Sequence, residues 1–154
     1  LASILNGRHR VYPSLIQTDH PKIGPQIISP QVSATARASL RKVVTEGTAT
    51  MADVKGYEVA GKTGTADKPD PQGGYYHDKV VSTFAGAFPA NDPKYVLVVM
   101  LDEPSDNIGS HPKRTAGWTA VPVAAEIIRR VAPLLGMPPP VDTTSLTGLK
   151  IAQN

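Results

Sequence analysis

Lys79-Val80-Val81-Ser82-Thr83-Phe84-Ala85-Gly86-Ala87-Phe88, Pro89-Ala90-Asn91-Asp92-Pro93 and Tyr95-Val96-Leu97-Val98-Val99-Met100-Leu101 are the stretches that decide how this chain folds. Valine, threonine and aromatic side chains suit a pleated surface. Proline, asparagine and aspartate interrupt one. Residues 79–88 therefore read as one strand, 89–93 as a tight connection and 95–101 as a second strand. The second strand is apolar at every position, so burial on both faces is expected. Upstream, Tyr57 to Ala66 reads as a third strand, although Gly61 and Gly64 sit inside it. Glycine within a strand marks close approach of a ligand or another backbone. Residues 67–78 are polar and hold Pro69, Pro71, Gly73 and Gly74, so they read as a long loop, the kind that is usually functional or mobile. Three strands with two returns suggest an antiparallel meander.

Helices flank these strands. Ser29-Pro30 offers an N-cap followed by proline in the first turn. Val32, Ala36, Leu40, Val43 and Val44 then trace one helical face, and Gly47 ends it. A second helix is expected from Ala120 to Leu135. Its stripe would be Val123, Ala124, Ile127, Ile128, Val131, Leu134 and Leu135, laid across the sheet. Gly136 stops it, and Pro138-Pro139-Pro140 forbids continuation. Residues 8–28 read as irregular, with a short strand between Val11 and Thr18. Leu1 to Gly7 reads as the last turns of a helix, as a fragment would begin. Residues 141–154 read as a flexible tail. The fold class is thus α/β (α+β), an antiparallel sheet of at least three strands packed by helices.

The composition excludes several classes of function. The 154 residues hold 16 Lys+Arg against 13 Asp+Glu, but the basic residues are scattered and lack interleaved aromatics. Nucleic-acid binding is therefore not expected. Cysteine is absent, which removes disulfides and thiolate metal sites. His9, His20, His77 and His111 have no metal-ligand spacing, so neither a metal nor another cofactor is expected.

The most informative segment is Ala60-Gly61-Lys62-Thr63-Gly64-Thr65-Ala66. Strand alternation puts Lys62 and Gly64 on one face, Thr63 and Thr65 on the other. Gly64 lets another backbone come close. Lys62 is a point charge suited to polarising a hydroxyl or attracting a carboxylate. If this is an edge strand, its free N–H groups would bind an extended peptide as an added strand.

This segment resembles the Lys-Thr-Gly signature of the penicillin-binding protein and serine β-lactamase superfamily. The likeness extends to Val43 through Ala49, Val59 through Ala66, Ser82 through Ala90, Asp102-Glu103-Pro104 and Ala120 through Pro139. It is strongest toward the monofunctional, division-type transpeptidases. The resemblance implies that residues 1–140 are the C-terminal portion of a transpeptidase domain. Lys62 would support the proton network around the nucleophile. Thr63 and Thr65, with Gly64 between them, would bind the terminal carboxylate of a D-alanyl-D-alanine stem peptide. The Thr65 N–H would form half of an oxyanion hole. Tyr75 and Tyr76 would border the cleft. β-Lactams would trap the parent enzyme, and division-machinery proteins are possible partners. The parent would sit on the periplasmic side of the inner membrane, anchored by an N-terminal segment.

The family also needs a Ser-x-x-Lys nucleophile and a Ser-x-Asn. Ser39-Leu40-Arg41-Lys42 and Ser105-Asp106-Asn107 match those patterns but stand in the wrong order and context. The nucleophile is therefore expected outside this chain, and the chain alone is expected to be inactive. The segment from His111 to Trp118 departs from the tyrosine- and glycine-rich sequence that the family places there, and Trp118 reads as a packing anchor. Two alternatives remain: a piece of a serine β-lactamase or D,D-carboxypeptidase, and a non-catalytic carboxylate- or peptide-binding module. The strand at 95–101 is expected to present a bare edge through which the chain self-associates.

Overall fold

The computed structural model describes residues 1–7, 9–20, 22–105 and 112–138. Its elements in chain order are α1 (Ala2–Leu5), β1 (His9–Val11), β2 (Ile23–Gln26), α2 (Pro30–Thr45), β3 (Ala60–Pro69), β4 (Tyr75–Phe88), β5 (Tyr95–Asp102) and α3 (Ala120–Val131). Strands β3, β4 and β5 form an antiparallel meander with β4 in the centre, as the sequence predicts. β1 and β2 pair with each other in a separate ribbon. The expected strand at 11–18 is thus confined to its first residue. No helix among the described residues is long and apolar enough to cross a membrane.

Residues 67–78 are not an open loop. β3 runs on to Pro69 and β4 starts at Tyr75, with Asp67 opposite Val80 and Pro69 opposite Tyr75. Only the tip between them turns, with positive φ at Gly73 and Gly74. Lys68 braces this extension across the sheet, 2.8 Å from Glu103 and 2.9 Å from Asp102. The hydrogen bonds to Glu103 and then Asp102 hold its ammonium pKa above the ordinary lysine value.

The register between β3 and β4 has a clear physical origin. Gly61 and Gly86 face each other across the two strands. The fully buried ring of Phe84 lies over both of them. A Cβ on Gly61 would stand 2.5 Å from the Phe84 ring, and one on Gly86 would stand 2.6 Å from it. The core continues from Phe84 to Phe88, Val99, Val59 and Tyr57, and is closed by α3.

Each helix buries part of the face that hydrophobic periodicity predicts, Val44 on α2 and Ala124 and Ile128 on α3, but the inward stripe is rotated from the expected one. In α3 the buried residues are Ala120, Val121, Ala124, Ala125 and Ile128, while Val123, Val131, Leu134 and Leu135 stay at least partly exposed. The alanines let the helix axis approach the aromatic rings, which the larger side chains would prevent. α3 also ends earlier, at Val131, and a 3-10 turn carries the chain from Pro133 to the left-handed Gly136.

On α2, the predicted cap is present: the Ser29 hydroxyl accepts from the Val32 N–H at 3.2 Å. Its inward stripe, however, includes Ser33, Arg37 and Arg41. Ser33 donates to the Ile4 carbonyl at 2.6 Å and Arg37 to the Leu5 carbonyl at 3.2 Å. These carbonyls end α1 and have no partner within it. Arg41 reaches the Val59 carbonyl at 2.7 Å and Asp53 at 2.8 Å, which fixes the connector to β3. Val32, assigned to the apolar face by periodicity, is exposed.

β5 also corrects an expectation. Its Val99 is buried, but Val96, Val98 and Met100 are 43%, 59% and 67% exposed. The strand is the outer member of the sheet, and one of its faces is uncovered among the described residues.

Gly61→Ala is expected to destabilise the chain by about 1–3 kcal/mol, as overpacked cores do. A lower urea midpoint in equilibrium unfolding would register this. An unchanged midpoint would mean that the Phe84 ring moves aside at no cost.

Candidate functional site

β3 is the other outer strand, so among the described residues no strand pairs along one of its long edges. The pairing with β4 sets Lys62 opposite Ala85, Thr63 opposite Phe84, Gly64 opposite Thr83 and Thr65 opposite Ser82. Thr63 and Thr65 therefore share the face that α3 covers. Lys62 and Gly64 share the face of Val98 and Met100.

Gly64 differs from Gly61. A Cβ there would meet nothing nearer than Thr83, at 3.9 Å. The fold does not require glycine at this position, and its missing side chain leaves free space beside Lys62. Lys62 curls around the edge, and its ammonium donates to the Thr63 carbonyl at 2.7 Å, with the Thr63 hydroxyl 3.4 Å away.

Two outside segments hold the threonines. The Thr48 and Thr63 hydroxyls are 2.7 Å apart. Thr48 is placed by the end of α2, where the Ala49 N–H donates to the Val43 carbonyl. The Thr65 hydroxyl accepts from the Ala116 N–H at 3.0 Å. That loop is pinned in turn by a buried hydroxyl pair, Ser82 with Thr119, at 2.8 Å. Ser82 points inward from β4, so one polar contact through the sheet core positions the segment beside β3.

The result is a cavity of about 600 Å³ whose lining includes Thr48, Met51, Thr63, Thr65, Thr115 and Trp118. Its chemistry follows from proton bookkeeping. Thr65 already accepts from a backbone N–H, so its own proton is available to a ligand. Thr63 lies next to the Lys62 charge, which strengthens any hydrogen bond it donates. Such an arrangement suits an anionic acceptor such as a carboxylate.

The structure thus brings together Lys62, Thr63, Gly64 and Thr65. Tyr75 and Tyr76 lie farther along the hairpin. Tyr75 pairs with Pro69, about 13 Å of strand beyond Thr65, and Tyr76 lies under the Lys79 ammonium. Neither lines the cavity. Ser39 and Lys42 are exposed on α2. Ser105 is exposed beyond β5, while Asp106, Asn107 and His111 lie outside the described residues. Sequence reasoning did not single out Thr48, Met51 or Ala116 as site residues. Only tertiary contacts bring them there, and no local pattern signals that.

Known proteins resemble this chain in sequence and fold. The family model described as penicillin binding protein transpeptidase domain matches residues 1–129. The chain is 37% identical over 146 residues to a Caulobacter vibrioides protein named probable peptidoglycan D,D-transpeptidase FtsI, covering 88% of this chain and 25% of the relative. It is 41% identical over 112 residues to penicillin-binding protein PbpB of Mycolicibacterium smegmatis, covering 68% of this chain and 17% of the relative. Among solved structures, the apo transpeptidase domain of Burkholderia pseudomallei penicillin-binding protein 3 superposes with a TM-score of 0.76 at 33% identity, covering 89% of this chain and 40% of that one. Penicillin-binding protein 3 of Mycobacterium tuberculosis complexed with aztreonam gives a TM-score of 0.67 at 31% identity, covering 90% and 34%. The chain spans about a quarter or less of the length of these curated relatives.

Gly64→Ala is expected to leave stability unchanged or to raise it by up to about 1 kcal/mol, since alanine is the better strand residue. Thr65→Val is expected to cost about 1–3 kcal/mol, because the buried Ala116 N–H loses its acceptor. Urea unfolding followed by the fluorescence of the single tryptophan measures both. A loss at Gly64→Ala as large as at Gly61→Ala would contradict the free space beside Lys62.

Proposed function

The chain belongs to the transpeptidase-domain family of penicillin-binding proteins, and on that premise we propose that residues 1–140 are the C-terminal portion of the catalytic domain of a division-type peptidoglycan D,D-transpeptidase. One observation carries this reading: Lys62, Thr63, Gly64 and Thr65 stand on an outer strand with no further strand paired to it among the described residues, beside a hydroxyl-lined cavity.

In this reading a stem peptide ending in D-alanyl-D-alanine lies along the β3 edge as an added strand. Its terminal carboxylate accepts from the Thr63 and Thr65 hydroxyls. A serine of the parent, outside this chain, attacks the carbonyl between the two alanines and gives up its proton. Lys62 stabilises the charge on that proton network. The peptide bond breaks, the departing D-alanine amine takes a proton, and a serine ester remains. The amine of a neighbouring stem peptide then attacks the ester and releases the serine, which recovers its proton.

The oxyanion formed at each attack needs a fixed N–H donor. The Thr63 carbonyl accepts from Lys62, and strand backbone groups two residues apart face the same edge. That pattern supports a Thr65 N–H directed at the same open side. The free space at Gly64 supports close passage of the substrate backbone. Aztreonam and ampicillin complexes of the Mycobacterium tuberculosis relative support β-lactams as ligands of the parent. The family relationship supports a periplasmic location for this part, with a membrane anchor elsewhere in the parent, and division-machinery proteins as partners. Tyr75 and Tyr76 fit the outer rim of the cleft rather than its floor.

In the intact parent, Lys62→Ala is expected to lower the rate of acylation by a fluorescent penicillin about 10²–10⁴-fold, the usual range for lost proton-transfer support. The chain alone is expected to form no covalent penicilloyl adduct by mass spectrometry. Acylation of the isolated chain, or a parent indifferent to Lys62→Ala, would defeat the reading.

The exposed Val96, Val98 and Met100 on an outer strand are a template for pairing with another copy. The isolated chain is therefore expected to sediment as a dimer or larger species, and Val98→Lys should shift it toward monomer. A monodisperse monomer before any substitution would rule this out.

A further inference from the structure

Trp118 is the single tryptophan of the chain, and it is not a buried anchor. It is 46% exposed, and Met51 beside it is 49% exposed. Both line the cavity that holds the Thr63 and Thr65 hydroxyls. The Lys113 ammonium sits 3.3 Å from the centre of the indole ring. A cation so placed is attracted by the ring's π-face and holds its orientation. The same two residues border a second hollow, of about 370 Å³, lined also by Leu101, Pro122 and Val123. Trp118 and Met51 are thus a partition between the threonine-lined cavity and a mainly aliphatic hollow, whose lining also includes Ser105 and Thr119.

Such a wall has a consequence for ligands. The hydroxyls satisfy an anion but do not distinguish one small carboxylate from another. Across the cavity, an indole and a flexible thioether offer apolar surface that water covers poorly. A ligand group that reaches them removes apolar area from water on both sides. Methionine adapts to groups of different shape, and the hollow behind it leaves room for longer ones.

We infer that Trp118 and Met51 form a specificity wall which, among carboxylates held by Thr63 and Thr65, selects those bearing an apolar substituent next to the carboxylate. This rests on the reading of Thr63 and Thr65 as a carboxylate site. The substrate class is an N-acylated amino acid or peptide end with an aliphatic or aromatic terminal side chain.

The test titrates the whole chain with N-acetyl-D-alanine, N-acetyl-D-leucine and N-acetyl-D-phenylalanine, with N-acetylglycine as the bare carboxylate and N-acetyl-D-leucinamide as the uncharged control. Amide chemical shifts in ¹H–¹⁵N spectra give the affinities, and Trp118 fluorescence reports the wall directly in the unaltered chain. Affinity is expected to rise at least tenfold from the glycine to the leucine acid, with a shift in Trp118 emission. Trp118→Ala and, independently, Met51→Ala should reduce that ratio below threefold while N-acetylglycine binding stays within twofold. Thr63→Val should weaken all the acids together and preserve the ratio. Thr65→Val should weaken them too, but it also frees the Ala116 N–H beside Trp118, so the ratio is read on Thr63→Val. Met51→Ala keeps the test open if Trp118→Ala does not fold. If the ratio survives both wall variants, the wall is overturned and the carboxylate site stands. If the amide binds as well as the acid and the threonine variants change nothing, the carboxylate reading falls and the wall with it. No binding of any probe up to its solubility limit overturns both.

Discussion

The placement of the site depends on one steric constraint, the Phe84 ring lying over the facing pair Gly61 and Gly86. An aromatic ring can occupy that position only where both strands lack a Cβ. The pair therefore works as a register pin. Because side chains alternate with a period of two, a slip by one residue would exchange the two faces of β3. Lys62 would then point toward α3, and Thr63 and Thr65 would leave the cavity. The same ring anchors the core that α3 closes, so the contact that sets the chemistry also carries the stability.

A register pin alone does not build a cleft. Among the described residues no strand pairs with the outer edge of β3, and the two threonines on it are gripped from one side only. Thr48 arrives from the end of α2 and Ala116 from the loop before α3. Each approach is secured deeper in the structure, by Arg41 on the Val59 carbonyl and by the Ser82–Thr119 hydroxyl pair. The hydroxyls are thereby oriented before any ligand arrives, which lowers the ordering cost of binding. Lys62 is held differently. Its partners are the carbonyl and hydroxyl of the adjacent residue, in an exposed position. Charge in open water is strongly screened. Lys62 gains force only when something covers that face of the sheet and excludes solvent.

The meander, the Ser29 cap and the partition of Lys62 from Thr63 were legible because each follows from local rules. Alternation assigns faces, and serine followed by proline starts a helix. Three features were not legible, each for a physical reason. Periodicity counts apolar residues but not closeness of approach, so it put Val123 and Leu134 in the stripe with Ala124 and left out Ala120 and Ala125, which let α3 sit nearer the aromatic rings. It is blind to polar side chains that finish another helix, so Ser33, Arg37 and Arg41 were missed on the inner face of α2. An unbroken apolar run reports that a strand belongs inside something. It does not report whether the covering element lies in the same chain, and Val98 and Met100 are exposed for want of one.

Five consecutive residues also divide between structure and chemistry in a way that composition conceals. Gly61 and Gly64 are the same residue three positions apart. The first is sterically obligatory under Phe84, while the second has free space where its side chain would be. Thr63 and Thr65 share a face, yet one bonds a hydroxyl that can reorient and the other accepts from a fixed backbone N–H. Thr65 is therefore both a brace for the loop carrying Trp118 and a donor toward the cavity, since accepting a bond leaves its proton free. A motif read only as letters gives these positions equal weight. Distances in the structure separate what the fold demands from what it leaves available. The available set is one ammonium, the Thr65 hydroxyl proton, the exchangeable Thr48–Thr63 hydroxyl pair and a gap beside the outer strand edge.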